Sequence, residues 1–373
     1  MPAPKSSRQS SSSERHTYSG ELWDVIQENH PFPLTVMMTL TERCNLSCKH
    51  CYIPPNASGS EDLTTAEIAD LLDQLADVGT LRLILTGGEP TLRSDLVDLV
   101  KQAMDRRFLI TLKTNGTLLD RTIVEQLWNA GLSELHVSLY TTEPESHDEF
   151  VGKTGAFEHS TEALNYFRKL GGISRANLVI MPWNAGSISK LVDLCESNEW
   201  VFCVEHYVHH RIDRESAPRE LRAQGETLVQ AISDTRLDNR LLSEKKHFKT
   251  NEDPLCLAGN GICVVMPNGE IWPCQLLPKP FGNIRDQSFR EIWLNSKERH
   301  LLTKSLFWDI HPPCLECDLS WACQRCPGDA YLEHGNIGIP TEYDCQMAKV
   351  AERVWHNRRG SDPEGKSEKK NSI

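Results

Sequence analysis

Apolar and polar positions follow two rhythms along the first two thirds of the chain. Short runs at Leu34 to Leu40, Leu81 to Leu85, Phe108 to Leu112, Glu134 to Leu139, Asn177 to Met181 and Trp200 to His206 have the length and apolar content of strands. Between them lie stretches with helical period. One starts at about Thr64, where Thr64 and Glu67 make a capping box, and carries Ile68, Leu71, Leu72 and Leu75 on one face. Others cover Leu96 to Met104, Arg121 to Trp128, Phe157 to Leu170 and Ile188 to Cys195. Six such repeats predict an α/β domain over residues 34–217, its parallel sheet curled into a partial barrel. In barrels of this kind chemistry gathers at the C-terminal ends of the strands.

Beyond the repeats the character changes. A charged, helical connector over 218–253 leads into a cysteine-rich segment, 254–350, and a polar tail, 351–373. The serine-rich start has no apolar core of the kind a signal peptide needs, so 1–33 reads as a disordered tail and lead-in. With 373 residues, 39% hydrophobic and 25% charged, the chain can bury a barrel-sized core plus a smaller one. Its net charge of −12 argues against nucleic acid as substrate, because phosphate binding needs a basic surface. No apolar run of about 18 residues marks a membrane span. Thirteen cysteines without an export signal, gathered at metal-type spacings, point to the cytoplasm.

Cys44, Cys48 and Cys51 form a CxxxCxxC run directly after the first strand. A structural zinc takes four ligands, whereas an iron-sulfur cube held by three thiolates leaves one iron open to bind something else. Downstream, the second strand ends in Thr86-Gly87-Gly88-Glu89-Pro90, where glycines permit close backbone approach and a carboxylate follows. The cysteine spacing, the aromatic Tyr52 after it and the Gly-Gly-Glu-Pro segment together resemble the radical S-adenosylmethionine (radical SAM) superfamily. That resemblance implies a SAM-binding 4Fe-4S cluster on the three cysteines. It also implies SAM contacts from Gly87, Gly88 and Glu89 to the amino group, from Ser138 to the ribose, and from Tyr52 and Asn115 nearby. The Ser138-Leu139-Tyr140 run lacks the acidic residue the family usually has at that strand end.

Eight further cysteines follow as CxxxxxxC, then Gly269 ahead of Cys274, then CxxCxxxxxCxxC, then Cys345. Read alone, the paired CxxC is also a zinc-ribbon pattern. With the N-terminal motif, the segment resembles the SPASM extension of peptide-modifying radical SAM enzymes. The resemblance implies two auxiliary 4Fe-4S clusters, one on Cys256, Cys263, Cys274 and Cys326 and one on Cys314, Cys317, Cys323 and Cys345. The family usually has three residues between the last central pair, where Gln324 and Arg325 are two. Cys195 and Cys203, in apolar settings, read as buried structural thiols.

By resemblance, then, the chain is a radical SAM oxidoreductase with three 4Fe-4S clusters and SAM. A low-potential donor such as flavodoxin or ferredoxin would supply an electron, SAM would yield methionine and a 5′-deoxyadenosyl radical, and that radical would oxidise a peptide or protein side chain. A separate leader-peptide-binding protein is an expected partner. Side-chain modification of a haem-type tetrapyrrole and sulfatase maturation are the enzymatic alternatives, the latter weakened by Gln275 where sulfatase maturases have an aspartate base. A noncatalytic iron-sulfur or zinc-binding protein is the alternative outside enzymes.

Overall fold

The computed structural model describes residues 32–55, 62–237 and 248–359. Its first strands are β1 (Thr35–Thr39), β2 (Arg82–Thr86), β3 (Leu109–Thr114), β4 (Glu134–Leu139), β5 (Ile173–Val179) and β6 (Val201–Glu205). Each runs parallel to the next. The connecting helices are α1 (Thr65–Asp77), α2 (Leu96–Asp105), α3 (Arg121–Asn129), α4 (Pro144–Val151), α5 (Ala156–Lys169) and α6 (Ile188–Ser197). α1 starts on the expected capping box: the Thr64 hydroxyl accepts from the Glu67 amide, and the Glu67 carboxylate accepts from the Thr64 amide. Two features depart from the sequence reading. α4 is additional, a polar turn-rich stretch with Pro144 in its first turn and Gly152 stopping it at φ 74°. β5 begins at Ile173 rather than Asn177, because its first residues alternate polar and apolar and so lack a continuous apolar run.

The connector contains α7 (Gly225–Ile232). Next come β7 (Ile262–Val265), β8 (Glu270–Trp272) and β9 (Gly282–Asn283). β7 lies parallel beside β1, with Thr35 opposite Ile262 and Val36 opposite Cys263, and β8 and β9 follow antiparallel. The cysteine-rich segment therefore extends the barrel sheet into one nine-stranded sheet, ordered β6-β5-β4-β3-β2-β1-β7-β8-β9. The helices that follow are α8 (Phe289–Asn295), α9 (Lys297–Lys304), α10 (Pro312–Leu315), α11 (Pro327–His334) and α12 (Glu342–Arg359). α12 runs on through residue 350, where the sequence reading placed the start of a tail, because Met347, Val350, Ala351 and Val354 form a buried stripe and the helix packs against α7. Of the tails expected at 1–33 and 351–373, residues 1–31 and 360–373 lie outside the described residues.

The sheet's two faces differ. Val36, Met38, Leu83, Leu85, Ile110, Leu112, Leu135, Val137, Ala176 and Leu178 join the helices in one apolar core. The opposite face carries Arg82, Lys113, Glu134, His136, Ser138, Arg175, Asn177, Cys203 and Glu205, with Lys113, His136 and Arg175 in register across β3, β4 and β5. Parallel sheets are ordinarily apolar on both faces, so a polar one implies a wet or ligand-filled space.

Candidate active site and metal centres

The loop from Thr41 to Cys51 leaves the C-terminal end of β1 and is fastened by the end of β2. Gly88 N–H donates to the Thr41 carbonyl at 2.8 Å and Glu89 N–H to the Arg43 carbonyl at 2.8 Å. A Cβ on Gly87 would stand 2.3 Å from the Thr41 oxygen, and one on Gly88 would stand 2.4 Å from the Arg43 oxygen. The glycines thus admit the chain's own cysteine loop, a close approach the sequence reading assigned to a ligand.

Glu89 is fully buried and its carboxylate is occupied within the protein. It accepts from the Thr91 amide (2.9 Å) and hydroxyl (2.5 Å), the Thr114 hydroxyl (2.7 Å) and the Asn115 amide (2.7 Å). Burial pushes its pKa up against these bonds. Glu89 is therefore a positioning residue that ties β2 to the end of β3. Asn115 carries the tie onward: its side chain donates to Asn45 Oδ1 at 2.9 Å and reaches Cys44 Sγ at 3.9 Å. Asn45 in turn donates to the Thr117 hydroxyl at 2.9 Å. Thr91, Thr114, Asn45 and Thr117 were not singled out from sequence, since nothing in a lone threonine or asparagine marks it as part of such a chain.

Cys44 is exposed, while Cys48 and Cys51 are half-buried. Burial, then the neighbouring Cys51 and Cys44 thiols, push Cys48 up to about 12. His50 and Tyr140 pack edge to face beneath the loop, and burial lowers His50 to about 4. Ser138 stands on the polar face of β4 opposite Asn177. The Tyr52 phenol donates to Gln275 Oε1, linking the first cysteine loop to the residue after Cys274. Burial and then Cys51 and Cys274 push that phenol up, so Tyr52 stands between the two cysteine regions.

The later cysteines fall into two groups. Burial raises Cys314, with Arg325 opposing and Cys345 and Cys317 adding; burial, then Asp344, Cys314 and Cys345, raise Cys323; burial, then Asp344 and Cys317, raise Cys345; and Arg325 donates to Cys314 Sγ at 3.6 Å. Cys256, Cys274 and Cys326 form the other: burial and then Cys274, with Cys256, push Cys326 far up. Cys263, expected with them, lies in the apolar core at 1% exposure, on the helix side of β7. Among the described residues no three cysteine sulfurs lie within 4.8 Å of one another. The His210, Asp329 and Glu333 cluster has ligand-like spacing, but Arg219 and Arg222 occupy its acceptors.

The polar face forms a chamber wall beside the loop. Arg82 pairs with Glu134 at 2.7 Å, and His136 meets Glu134 at 2.8 Å. Burial lowers the Lys113 ammonium, partly offset by Glu205 and Cys203. Lys113 makes no ion pair among the described residues, and Arg175 Nε is buried without a partner. Cys203 meets Glu205 at 3.6 Å on this wall, so the reading of it as a buried structural thiol is corrected, while Cys195 is in the core. The signal for these residues was present: every second position of Leu-Lys-Thr, Glu-Leu-His-Val-Ser and Arg-Ala-Asn is polar within strands that a parallel sheet should bury.

A radical SAM superfamily model matches residues 38–195, and an iron-sulfur cluster-binding domain model, SPASM, matches 256–318. An AdoMet-dependent heme synthase of Methanosarcina barkeri is 30% identical over 336 residues, covering 82% of this chain and 94% of that one. A PqqA peptide cyclase of Xanthomonas axonopodis is 28% identical over 314 residues, covering 79% and 84%. The solved structure of native anSMEcpe with bound AdoMet and Kp18Cys peptide superposes with a TM-score of 0.70 at 18% identity, covering 88% and 98%, a likeness of fold. No described helix is long and apolar enough to cross a membrane.

Proposed function

Because the chain belongs to the radical SAM superfamily and carries a SPASM iron-sulfur cluster-binding domain, we propose that it reductively cleaves SAM at Cys44, Cys48 and Cys51 and oxidatively modifies a peptide or protein side chain. SAM held there would supply the one-electron, hydrogen-abstracting chemistry needed at an unreactive C–H bond. The chain's own part is to bind, orient and shield. The observation that carries the reading is the continuous wiring of the cysteine loop to Gly88, Glu89 and Asn115. A protein that only stored clusters would have no use for a buried carboxylate organising the ligand side of one of them, which weighs against the noncatalytic alternative.

In this reading the backbone of Gly87 and Gly88 meets the SAM amino group, Ser138 the ribose, and Asn115 and Tyr52 flank the cluster. Three 4Fe-4S clusters account for the two groups of later cysteines and the first loop. A flavodoxin or ferredoxin supplies the electron, and a separate leader-binding protein presents the peptide. The peptide assignment draws support from the similarity to a PqqA peptide cyclase. A second reading, modification of a carboxylate-bearing tetrapyrrole, is favoured by the 30% identity to an AdoMet-dependent heme synthase. Sulfatase maturation is the weakest, because Gln275 is neutral and already engaged by Tyr52.

The test is anaerobic incubation of reconstituted protein with dithionite and SAM, followed by quantitation of 5′-deoxyadenosine. Its formation is expected, together with about twelve irons per chain. No nucleoside product would leave only a binding role. Product analysis with a short precursor peptide and with a tetrapyrrole then separates the two substrate readings.

A further inference from the structure

Arg325 carries a positive charge into the cysteine-rich segment and meets no carboxylate there. It is 6% exposed. One arm of its guanidinium donates to the Gly338 carbonyl at 2.8 Å and the Ile337 carbonyl at 3.4 Å, in the loop between α11 and α12. The other arm donates to Cys314 Sγ at 3.6 Å, and Nε is buried without a partner. Among the described residues Arg325 makes no ion pair. Asp344, the buried carboxylate that bears on Cys323 and Cys345, is taken by the Tyr207 phenol at 2.7 Å and the Thr341 amide at 2.9 Å. A guanidinium keeps its proton at any working pH, and burying one against neutral carbonyls alone is costly. The cost is offset once Cys314 is a thiolate, the form a metal ligand must take. Burial raises the Cys314, Cys323 and Cys345 thiols, and Arg325 opposes it at all three.

We propose that Arg325 is a positioning residue acting through Cys314: its charge and its N–H···S contact raise the reduction potential of the cluster that Cys314 would hold, so that an electron entering the cysteine-rich segment settles there. A thiolate-bound cube becomes more negative when it is reduced, and both a fixed positive charge and a hydrogen bond to a ligand sulfur favour the reduced form. The carbonyls of Ile337 and Gly338 hold the planar fork in place beforehand, so little ordering is needed when the charge changes. Only the use of that electron store in substrate oxidation rests on the SAM reading; the raised potential does not. A merely structural role for Arg325, tying α10 to the loop before α12, would leave the potential unmoved.

The test compares wild type, Arg325→Gln and Arg325→Lys, each anaerobically reconstituted and reduced stepwise by dithionite without SAM, with the cluster spectra followed against potential. In iron-replete Arg325→Gln, one cluster should become tenfold harder to reduce, about 59 mV for one electron, while the others stay in place. Arg325→Lys, which keeps the charge, should recover most of that fall. Unchanged potentials in Arg325→Gln, a fall shared by every cluster, or no recovery in Arg325→Lys would overturn the proposal. Should Arg325→Gln not hold its iron, protein with isotope-labelled guanidinium nitrogens decides. Cys44, Cys48 and Cys51 are replaced by alanine in that protein, because Arg211 bears on Cys51. Its reduced spectrum should show coupling to a labelled nitrogen, and none would overturn the proposal. Because neither SAM nor substrate is added, a failed 5′-deoxyadenosine assay leaves the inference standing, and unmoved potentials leave SAM cleavage standing.

Discussion

Removing the Glu89 carboxylate should weaken both the fold and the first cluster. In Glu89→Ala the amides of Thr91 and Asn115 lose their acceptor, while the hydroxyls of Thr91 and Thr114 can rotate toward others. A buried donor left unpaired costs about 1–3 kcal/mol. Two of them give a loss of about 2–6 kcal/mol, a large share of ordinary domain stability. Glu89→Gln with its oxygen at the Oε1 position keeps the three donors there and turns its NH2 group toward one, the Asn115 amide, so a smaller loss of about 1–3 kcal/mol is expected. The pH dependence separates charge from shape. Burial raises the folded pKa of Glu89 above its unfolded value of 4.5. The folded state therefore binds the proton more tightly, and the wild type loses stability as pH rises from the unfolded value through the folded one. The glutamine variant has no such loss, so its deficit should be larger near the unfolded value and shrink as pH rises through that window. Urea unfolding of anaerobically prepared protein followed by circular dichroism, with iron counted in parallel, measures both. A Glu89→Ala protein as stable as wild type, with all its iron, would refute the wiring argument.

Gly88→Ala must move a backbone carbonyl, since its Cβ would stand 2.4 Å from Arg43 O and 2.5 Å from Glu42 O. Loss of about a third of the iron and of 5′-deoxyadenosine formation is expected, read by iron analysis and chromatography. Arg222→Met strands the buried Asp329, whose partners are otherwise His209 and His210. Breaking such a pair costs about 3–5 kcal/mol, visible as a lowered melting temperature, and an unchanged one would refute it. Lys113→Met should weaken binding of a carboxylate-bearing substrate about tenfold, equivalent to about 1.4 kcal/mol, because Lys113 makes no ion pair among the described residues. Equal affinity of variant and wild type by titration would remove that role.

The strand series was legible because six apolar runs recur with helices between them, and the α1 capping box fixed one boundary to the residue. The cysteine loop was legible because its three cysteines lie within eight residues of one another. What escaped was whatever depends on distant pairing. Cys263 was expected as a ligand by resemblance, and its register against Val36, which packs in the core, puts it on the core side of β7. Glu89 looked like a ligand contact until its four internal donors were seen. The chamber wall was hidden because a polar residue inside an apolar run reads as noise until neighbouring strands bring several into line.

The pairing of β1 with β7 sets a schedule. Thr35 meets Ile262 only after more than two hundred further residues have been made. At about 5–20 residues per second, synthesis leaves one edge of β1 unpartnered for on the order of ten to forty seconds. That edge, Val36-Met37-Met38, is apolar, the kind that other chains join. The first cysteine loop hangs from the same strand, and its Tyr52 finds Gln275 only when the last third of the chain arrives. Expression that is slow or interrupted should thus fail at β1 first, in the form of brownless aggregate.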